Sequence, residues 1–513
     1  MALWAMSRKF VSRGILIPII LVGVAFALYY SLMSCSLDEW DAAQFALALT
    51  QYDVTRHLPH PPGYPVYMFL GRILFSLTGN QIYSLTLLSA LCGSLTLLPF
   101  YLLVQRMFRN STLSVLASLF LMVLPQFWLN SLKALSDIPA TLFAVSSLYL
   151  FYRYAQDGKR LDLLLGALIL SLGIGVRVTN LTVLGVMLLV IARRFDWRSA
   201  IAGFVTLILG CLVWFLPMVW LGAGGWEGYV YANMRLWNTA VIGADSLFRE
   251  PVTWSAFWWR TIRYAEVQLE WGVLANMRGL LGFVNLLLFS GLFLFGLSYL
   301  DPRRRNPLLL IAWAVPYALF MLLFLSLWGV ERYILPLMPP LALSVAKAAE
   351  LIPRGLLGKV LQEGSGAVRK LRWVPLLALA LFLSAETFGL AQVVHTQPAP
   401  IVQLVYYVKG NYYPRQVVIV VKEEYRMFQF YAPEYSLYGY VPLQPIPTPE
   451  PMFRSIYLTS SSTYLGRTVL ITGTAWRFWS RRYPMARPVL IKSFERNPLA
   501  GAYDHEAQLY RWA

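Results

Sequence analysis

Long apolar runs recur along this chain, and they constrain its fold more than any other feature. A run of about 17 to 25 apolar residues is long enough to cross a hydrocarbon core of roughly 30 Å. With 58% hydrophobic and 13% charged residues among 513, the chain is too apolar for an ordinary soluble protein. We identify eleven candidate spans, at residues 15–34, 82–105, 112–129, 135–154, 161–177, 179–192, 199–221, 279–300, 307–327, 333–352 and 373–393. The sequence therefore predicts an all-α multi-pass membrane protein, a bundle of about eleven transmembrane helices.

The positive charges lie at the ends of these spans. The formal net charge is +18, which by itself would also suit a nucleic-acid-binding protein. With the amino terminus inside, however, every second connecting segment is basic, for example residues 8–13, 193–198 and 303–305. Basic inside loops are typical of membrane proteins. We therefore expect a lipid bilayer and no nucleic acid as partner, with a cytoplasmic amino terminus in a prokaryotic plasma membrane.

Three long segments fall on the outer side in this topology: the outer loops 35–81 and 222–278, and the chain after about residue 394. The first loop has helical character at 39–51 and 65–78, which suits helices lying at the membrane interface. The second is rich in aromatic residues, which suits either an interfacial belt or a stacking surface for a sugar or polyprenyl chain. We predict a transmembrane domain of residues 1–395 and an extracytoplasmic domain of residues 396–513.

The predicted outer domain alternates strand and helix signals. Apolar runs bounded by turn or charged residues predict strands at 416–422, 468–473, 488–495 and 507–512. Helices are expected near 400–410, 424–431 and 474–483, and the proline-rich stretch 441–451 is expected to be a loop. The sequence thus indicates a small C-terminal α/β domain.

Acidic residues collect directly after the first predicted span. Asp38, Glu39 and Asp41 lie within four residues, and Asp38 and Asp41 would share one face of a helix that begins there. A carboxylate at the mouth of a lipid-facing cavity can serve as a general base. An aspartate at a helix start also simply caps the helix, and this alternative applies equally to Asp137 before the fourth span.

Cationic and hydrogen-bonding residues occur near the same membrane face. Arg72 lies on the second interfacial helix, Arg177 at the outer end of the fifth span, and Glu331, Arg332 and Tyr333 at the outer entry of the tenth. Arginine pairs naturally with phosphate oxygens, whereas interfacial anchoring is the simpler interpretation. The combination suits a phosphate-bearing, lipid-anchored substrate. A metal site at His57 and His60 is weakly indicated, because no further ligands support the pair.

Three stretches carry a family resemblance: the acidic pair at 38–39, "HPPGYPVYMFLGR" (60–72) and "ERYILPLMPP" (331–340). Over roughly residues 10–395, the chain resembles the GT-C glycosyltransferases, in particular the branch of protein O-mannosyltransferases and lipid A aminoarabinose transferases. The resemblance implies transfer of a sugar, with inversion, from a polyprenyl-phosphate donor to an acceptor hydroxyl on the outer face. The acceptor would be a glycolipid, a polysaccharide or a protein.

The same resemblance implies roles for individual residues. Asp38 would be the general base, with Glu39 and Asp137 as further catalytic acids. Arg332 and Tyr333, with His60, would bind the departing lipid phosphate. The other candidate substrate-binding residues, which the resemblance does not itself assign, are Asp41, Tyr64, Arg72, Arg177 and Glu331. His60 stands where relatives carry a lysine, so its charge depends on pH. No metal is expected to be obligatory, although a divalent cation is compatible with this set.

A secondary transporter or lipid-carrier flippase is the main alternative function. Transporters place ionisable groups and broken helices near the bilayer midplane, often in paired halves. Here Glu386 is the one ionisable residue well inside a predicted span, and no paired halves are found. A purely anchoring role for the membrane part would not need eleven spans.

Overall fold

In a computed structural model, the described residues up to 411 are mostly helical, and a small sheet follows them. The structure describes residues 2–238, 253–255, 258, 259, 262, 307–324, 331–356, 373–439, 447–459, 463–483, 487–495 and 506–512. The predicted span 279–300, most of the second outer loop and most of the proline-rich stretch 441–451 lie outside the described residues.

The amino-terminal half contains eleven described α-helices. They are α1 (Ala2–Ser31), α2 (Trp40–Ala48), α3 (Pro65–Thr78), α4 (Gln81–Phe108), α5 (Ser111–Val123), α6 (Pro125–Asn130), α7 (Asp137–Asp157), α8 (Arg160–Val176), α9 (Leu184–Arg194), α10 (Trp197–Pro217) and α11 (Trp226–Leu236). The described helices that follow are α12 (Pro307–Phe324), α13 (Met338–Leu356), α14 (Val374–Thr396), α15 (Pro400–Asn411), α16 (Tyr425–Tyr431), α17 (Glu450–Thr459) and α18 (Gly473–Trp479).

Three helical stretches of the described chain are long and apolar enough to cross a membrane: Gln81–Phe108, Trp197–Gly222 and Val374–Asn411. Shorter apolar helices cover Leu16–Ser31, Pro65–Thr78, Ser111–Val123 and Leu309–Met321. The predicted number of eleven spans is therefore not confirmed.

Several predicted spans are interrupted where the backbone leaves the α-helical conformation. The run 112–129 divides into α5 and α6, because Leu124 is extended with ψ 126° and Pro125 starts a new helix. The run 179–192 starts with the 3₁₀ turn Val178–Val183, and the run 333–352 with the 3₁₀ turn Glu331–Leu337, which contains Pro336. Both changes of helix type lie next to residues of the candidate site.

The C-terminal part forms one mixed sheet. Its strands are β1 (Val417–Val421), β2 (Leu437–Gly439), β3 (Thr463–Tyr464), β4 (Arg467–Thr472), β5 (Val489–Phe494) and β6 (Ala507–Arg511), in the order β2-β1-β4-β6-β5 with β3 beside β4. β1 is parallel to β2 and β4, while β6 is antiparallel to β4 and β5. The four predicted strands and three predicted helices are confirmed, and the short strands β2 and β3 are additional.

Both parts share one apolar core. Buried residues of α1, α4 and α7 are continuous with those of α15, β1 and α16. The five residues of β1 are all buried, as expected for a parallel strand covered on both faces. The C-terminal sheet is thereby docked on the helical part, and α16 packs directly against α2 of the first outer loop.

Candidate functional site

Asp38 lies in the short connection between α1 and α2, which is fixed to other parts of the chain. The backbone N–H of Ser34 donates to the carbonyl of Leu132 at 3.0 Å, before α7. The hydroxyls of Ser36 and Ser34 face Oδ1 of Asp38 at 3.2 and 3.5 Å. Oδ2 of Asp38 lies 3.6 Å from Nζ of Lys133, and the Asp38 side chain is only 6% exposed. Asp38 is thus a nearly buried carboxylate held between hydroxyls and a cation.

Arg332 connects the acids of the first loop to the later part of the chain. Its two terminal nitrogens pair separately with the carboxylates of Glu39 and Asp41. Glu39 is the N-cap residue of α2, and Asp41 lies in its first turn. Burial alone would raise the pKa of Asp41, but the charges of His60, Arg332 and Arg177 outweigh burial and lower it. Arg332 therefore holds Asp41 ionised.

Asp137 provides a second acidic point in the same cluster. Its Oδ2 accepts a hydrogen bond from Arg177 at 3.2 Å and lies 3.7 Å from Nε of Arg332. That Nε is buried and has no hydrogen-bond partner among the described residues. The guanidinium of Arg177 also faces the rings of Tyr333 at 5.4 Å and Tyr64 at 6.0 Å. The N-cap interpretation does not hold for Asp137, because the helix already includes it and Ser136 takes the N-cap position.

His60 is held between two neighbours. Its Nδ1 lies 2.8 Å from Oε1 of Gln44, and its Nε2 lies 2.7 Å from the hydroxyl of Tyr64. A ring that donates from Nδ1 and accepts at Nε2 satisfies both contacts in the neutral state. Burial lowers the pKa of His60 although Asp41, 3.6 Å away, opposes the shift. Both ring nitrogens already have partners. A direct contact between His60 and a phosphate therefore stays a prediction, and it would require one of these two hydrogen bonds to break.

Arg72 lies on α3, the second predicted interfacial helix, and its substrate-binding role stays a prediction. Its guanidinium donates to the carbonyls of Ala48 and Leu49, at the end of α2, and lies over the ring of Tyr52. Carbonyls at a helix C-terminus lack intrahelical partners and favour a cation. Arg72 therefore fastens α3 to α2. For Glu331 the structure describes the backbone but not the side chain.

The C-terminal part reaches this site through α16. The hydroxyl of Tyr431 accepts the backbone N–H of Leu37 at 2.9 Å, next to Asp38. The buried guanidinium of Arg426 donates to the carbonyls of Arg56 and His57 at 2.8 and 3.3 Å. Tyr431 thus contacts the first outer loop just before α2, and Arg426 contacts it after α2, at the turn that ends at His57.

Sequence reasoning missed Lys133, Gln44, Arg426 and Tyr431. Lys133 had a usable signal, since it is a lone cation four residues before Asp137 in an apolar stretch. The contacts of Tyr431 and Arg426 join residues almost 400 positions apart, which no local pattern reports. Among the residues that the structure describes, no group of three or more acidic, histidine or cysteine side chains is arranged to hold a metal ion.

The described cluster therefore joins four acids, Asp38, Glu39, Asp41 and Asp137, to three cations, Lys133, Arg177 and Arg332. The chain superposes on ArnT from Cupriavidus metallidurans in the apo state with a TM-score of 0.58 and 14% identity, covering 96% of this chain and 97% of that one. For the same protein bound to undecaprenyl phosphate, the TM-score is 0.56 at the same identity and coverage.

A more distant likeness joins the chain to an oligosaccharyltransferase of Archaeoglobus fulgidus, solved in complex with zinc and sulfate. The TM-score is 0.51 at 14% identity, over 90% of this chain and 69% of that one. Residues 59–221 match the family described as dolichyl-phosphate-mannose-protein mannosyltransferase. Among curated protein sequences, none matches the chain significantly. Residues 59–221 are therefore similar to a mannosyltransferase family, and the chain shares the fold of ArnT along nearly its whole length.

Proposed function

We propose that the chain transfers a sugar from a polyprenyl-phosphate donor to an acceptor hydroxyl on the outer membrane face, with inversion, using Asp38 as general base. One observation carries the proposal: acids of the first loop, Asp137 and the distant Arg332 meet in one ion-pair cluster. We also propose that the protein has eleven membrane spans, a cytoplasmic amino terminus and a C-terminal domain on the outer side.

The reaction assigns a separate task to each side of the cluster. Asp38 takes the proton of the acceptor hydroxyl as its oxygen attacks the anomeric carbon. The bond from that carbon to the phosphate oxygen breaks, and the lipid phosphate leaves with the electron pair. Arg332 and Arg177 are the cations for the leaving phosphate. The buried Nε of Arg332 supports this task, since it makes no hydrogen bond to any described residue and lies 3.7 Å from the carboxylate of Asp137.

The partners in this proposal follow from the phosphate chemistry and the fold. ArnT of Cupriavidus metallidurans, which shares the fold, was solved with undecaprenyl phosphate, so a polyprenyl phosphate is the proposed carrier. The acceptor is a glycolipid, a polysaccharide or a protein. No step of this scheme uses a metal, although the carboxylates are compatible with a divalent cation.

Replacing the base tests the mechanism. In Asp38→Asn we expect turnover of a polyprenyl-phosphate sugar to fall by about 10² to 10⁴-fold, with donor binding retained. Asp53→Asn is the matched control, since Asp53 lies in the same loop but caps the turn at 54–56 through Oδ1, which asparagine keeps. Turnover would be measured as release of the lipid phosphate. Full activity of Asp38→Asn would disprove the assignment, and donor movement across vesicles without bond cleavage would indicate a flippase.

Replacing the phosphate cation tests donor binding separately. We expect Arg332→Ala to weaken binding of the donor lipid by about tenfold or more, because a charged hydrogen bond contributes about 1.5–3 kcal/mol. Arg332→Lys keeps the charge near Glu39 and Asp41 but loses the planar fork, so it should bind the donor with intermediate affinity. Unchanged donor affinity in both variants would contradict the phosphate role.

A further inference from the structure

A basic cleft lies in the C-terminal sheet, at the carboxyl ends of β1 and β4. These two strands are adjacent and parallel, and β2 extends the sheet on the other side of β1. The order of the strands therefore reverses between β1 and β4. In open α/β sheets, ligands bind in the crevice outside the carboxyl ends of the strands at such a reversal.

The cleft is large enough for a small ligand and is dominated by cations. Its volume is about 390 Å³, within the usual range of small-molecule sites. The lining residues are Lys422, Glu423, Thr474, Arg477, Phe478, Arg481 and Arg482. Four of these are cations and one is an acid. Clefts lined by one sign of charge focus the field and attract ions of the opposite sign.

Two of the four cations form no ion pair within 4 Å among the described residues, although Glu506 is near enough to Arg477 to interact with it electrostatically. In the described part of the chain, no carboxylate lies within 4 Å of the guanidinium of Arg477 or Arg481, whereas Arg482 pairs with Glu450 and Lys422 lies 3.8 Å from Glu423. Both Arg477 and Arg481 are exposed at the surface of the cleft. They can bind an anion without first breaking an ion pair, so the cost of replacing an existing partner does not arise.

The walls of the cleft are tied to each other by a buried carboxylate. Glu424, which is 2% exposed, accepts hydrogen bonds from the hydroxyls of Thr472 and Thr474 at 2.7 and 2.5 Å. The backbone N–H of Glu423 donates to Thr474 at 3.1 Å. The ends of β1 and β4 are thereby fixed before any ligand arrives, which lowers the entropic cost of binding.

We propose that this cleft binds a phosphate-bearing group through Arg477 and Arg481. Phosphate fits because guanidinium groups recognise its oxygens with paired hydrogen bonds. Two sources would supply such a group outside a membrane, namely the headgroup of an anionic lipid or the phosphate of an incoming acceptor. The site does not depend on the proposed sugar transfer, and its test measures binding rather than turnover.

The experiment uses the full chain purified in an uncharged detergent and three probes. These are inorganic pyrophosphate, short-chain phosphatidylglycerol and short-chain phosphatidylcholine, each titrated by calorimetry. The test variant is Arg477→Gln with Arg481→Gln. The matched control is Arg415→Gln with Arg487→Gln, which removes the same charge from two exposed arginines. They precede β1 and β5 at the opposite end of the sheet, because β5 is antiparallel to β6 and β6 to β4.

We expect saturable binding of pyrophosphate that weakens by about tenfold or more in the cleft variant and remains in the control. Higher salt should also weaken it, since exposed charges are screened. If phosphatidylglycerol but not phosphatidylcholine follows the same pattern, a lipid headgroup is the source. If only pyrophosphate does, the phosphate belongs to a soluble or acceptor group. No saturable binding, or equal loss in both double variants, would overturn the proposal.

Discussion

Acidification should loosen the first outer loop through His57. This side chain is 5% exposed and lies beside Arg426, whose guanidinium contacts its carbonyl. Burial, and then the charges of His60, Arg426 and Arg235, lower the pKa of His57 from 6.5 to about 3. Since the folded state holds the ring neutral, protons bind the unfolded state more readily between these two values.

The size of the effect follows from this shift. The stability that His57 contributes is fully present above pH 6.5 and is lost as the pH falls from 6.5 towards 3. At about pH 5.5 the loss is about 1 kcal/mol, because one unit below the unfolded pKa corresponds to nearly one factor of ten. The whole shift corresponds to a loss of about 5 kcal/mol.

The substitution His57→Asn isolates this contribution. His57 has a left-handed backbone with φ 56°, a conformation that asparagine adopts more readily than most residues. The free energy of unfolding would be measured by SDS titration of detergent-solubilised protein at about pH 7.5 and 5.5. The original chain should lose about 1 kcal/mol more than the variant between these conditions. The exposed His395→Asn serves as control and should behave like the original chain. Equal pH dependence of the original chain and His57→Asn would refute the reasoning.

Two further substitutions test the contacts around the site. Tyr431→Phe removes the hydroxyl that accepts the backbone N–H of Leu37, and we expect turnover to fall about tenfold while the C-terminal domain stays similarly stable. Tyr435→Phe is the control. It loses a hydrogen bond to Tyr412 within the C-terminal domain and should not slow turnover. Gly63→Ala should destabilise strongly, because φ is +105° and the added Cβ would lie 2.8 Å from Met218. Gly79→Ala shares the positive φ but meets no atom within 4 Å, so it should cost only about 1 kcal/mol. Equal melting temperatures of the two alanine variants would show that crowding at Gly63 is unimportant.

The elements that the sequence predicted well are those with a strong local signal. The helix at 65–78 was predicted with the bounds observed, since Pro65 occupies its first turn and Gly79 ends it. The run of β-branched residues 417–421 also predicts a single structure, a buried strand, which the structure confirms. By contrast, the break at Leu124 is hidden inside an apolar run, because lipid-facing and protein-facing residues are equally apolar there.

The candidate site was predicted in part for a similar reason. The acids and Arg332 are charges in apolar surroundings, so they stand out individually. Arg72 stands out equally, but its capping of α2 depends on how α2 and α3 pack, which composition does not report. The contacts of Tyr431 and Arg426 could not be predicted without knowing that the C-terminal part packs on the first outer loop.

The contact between Leu37 and Tyr431 has a consequence for biosynthesis. The two residues are 394 positions apart, so the ribosome must have synthesised residue 431 before this hydrogen bond can form. Domains emerging during translation generally fold in order from the amino terminus, and long-range contacts close last. Membrane insertion of the first helices would therefore precede assembly of the loop around Asp38 by most of the synthesis time. A nascent chain that has not yet reached α16 would be inserted with this loop unfastened, and we expect it to be inactive until the C-terminal sheet docks.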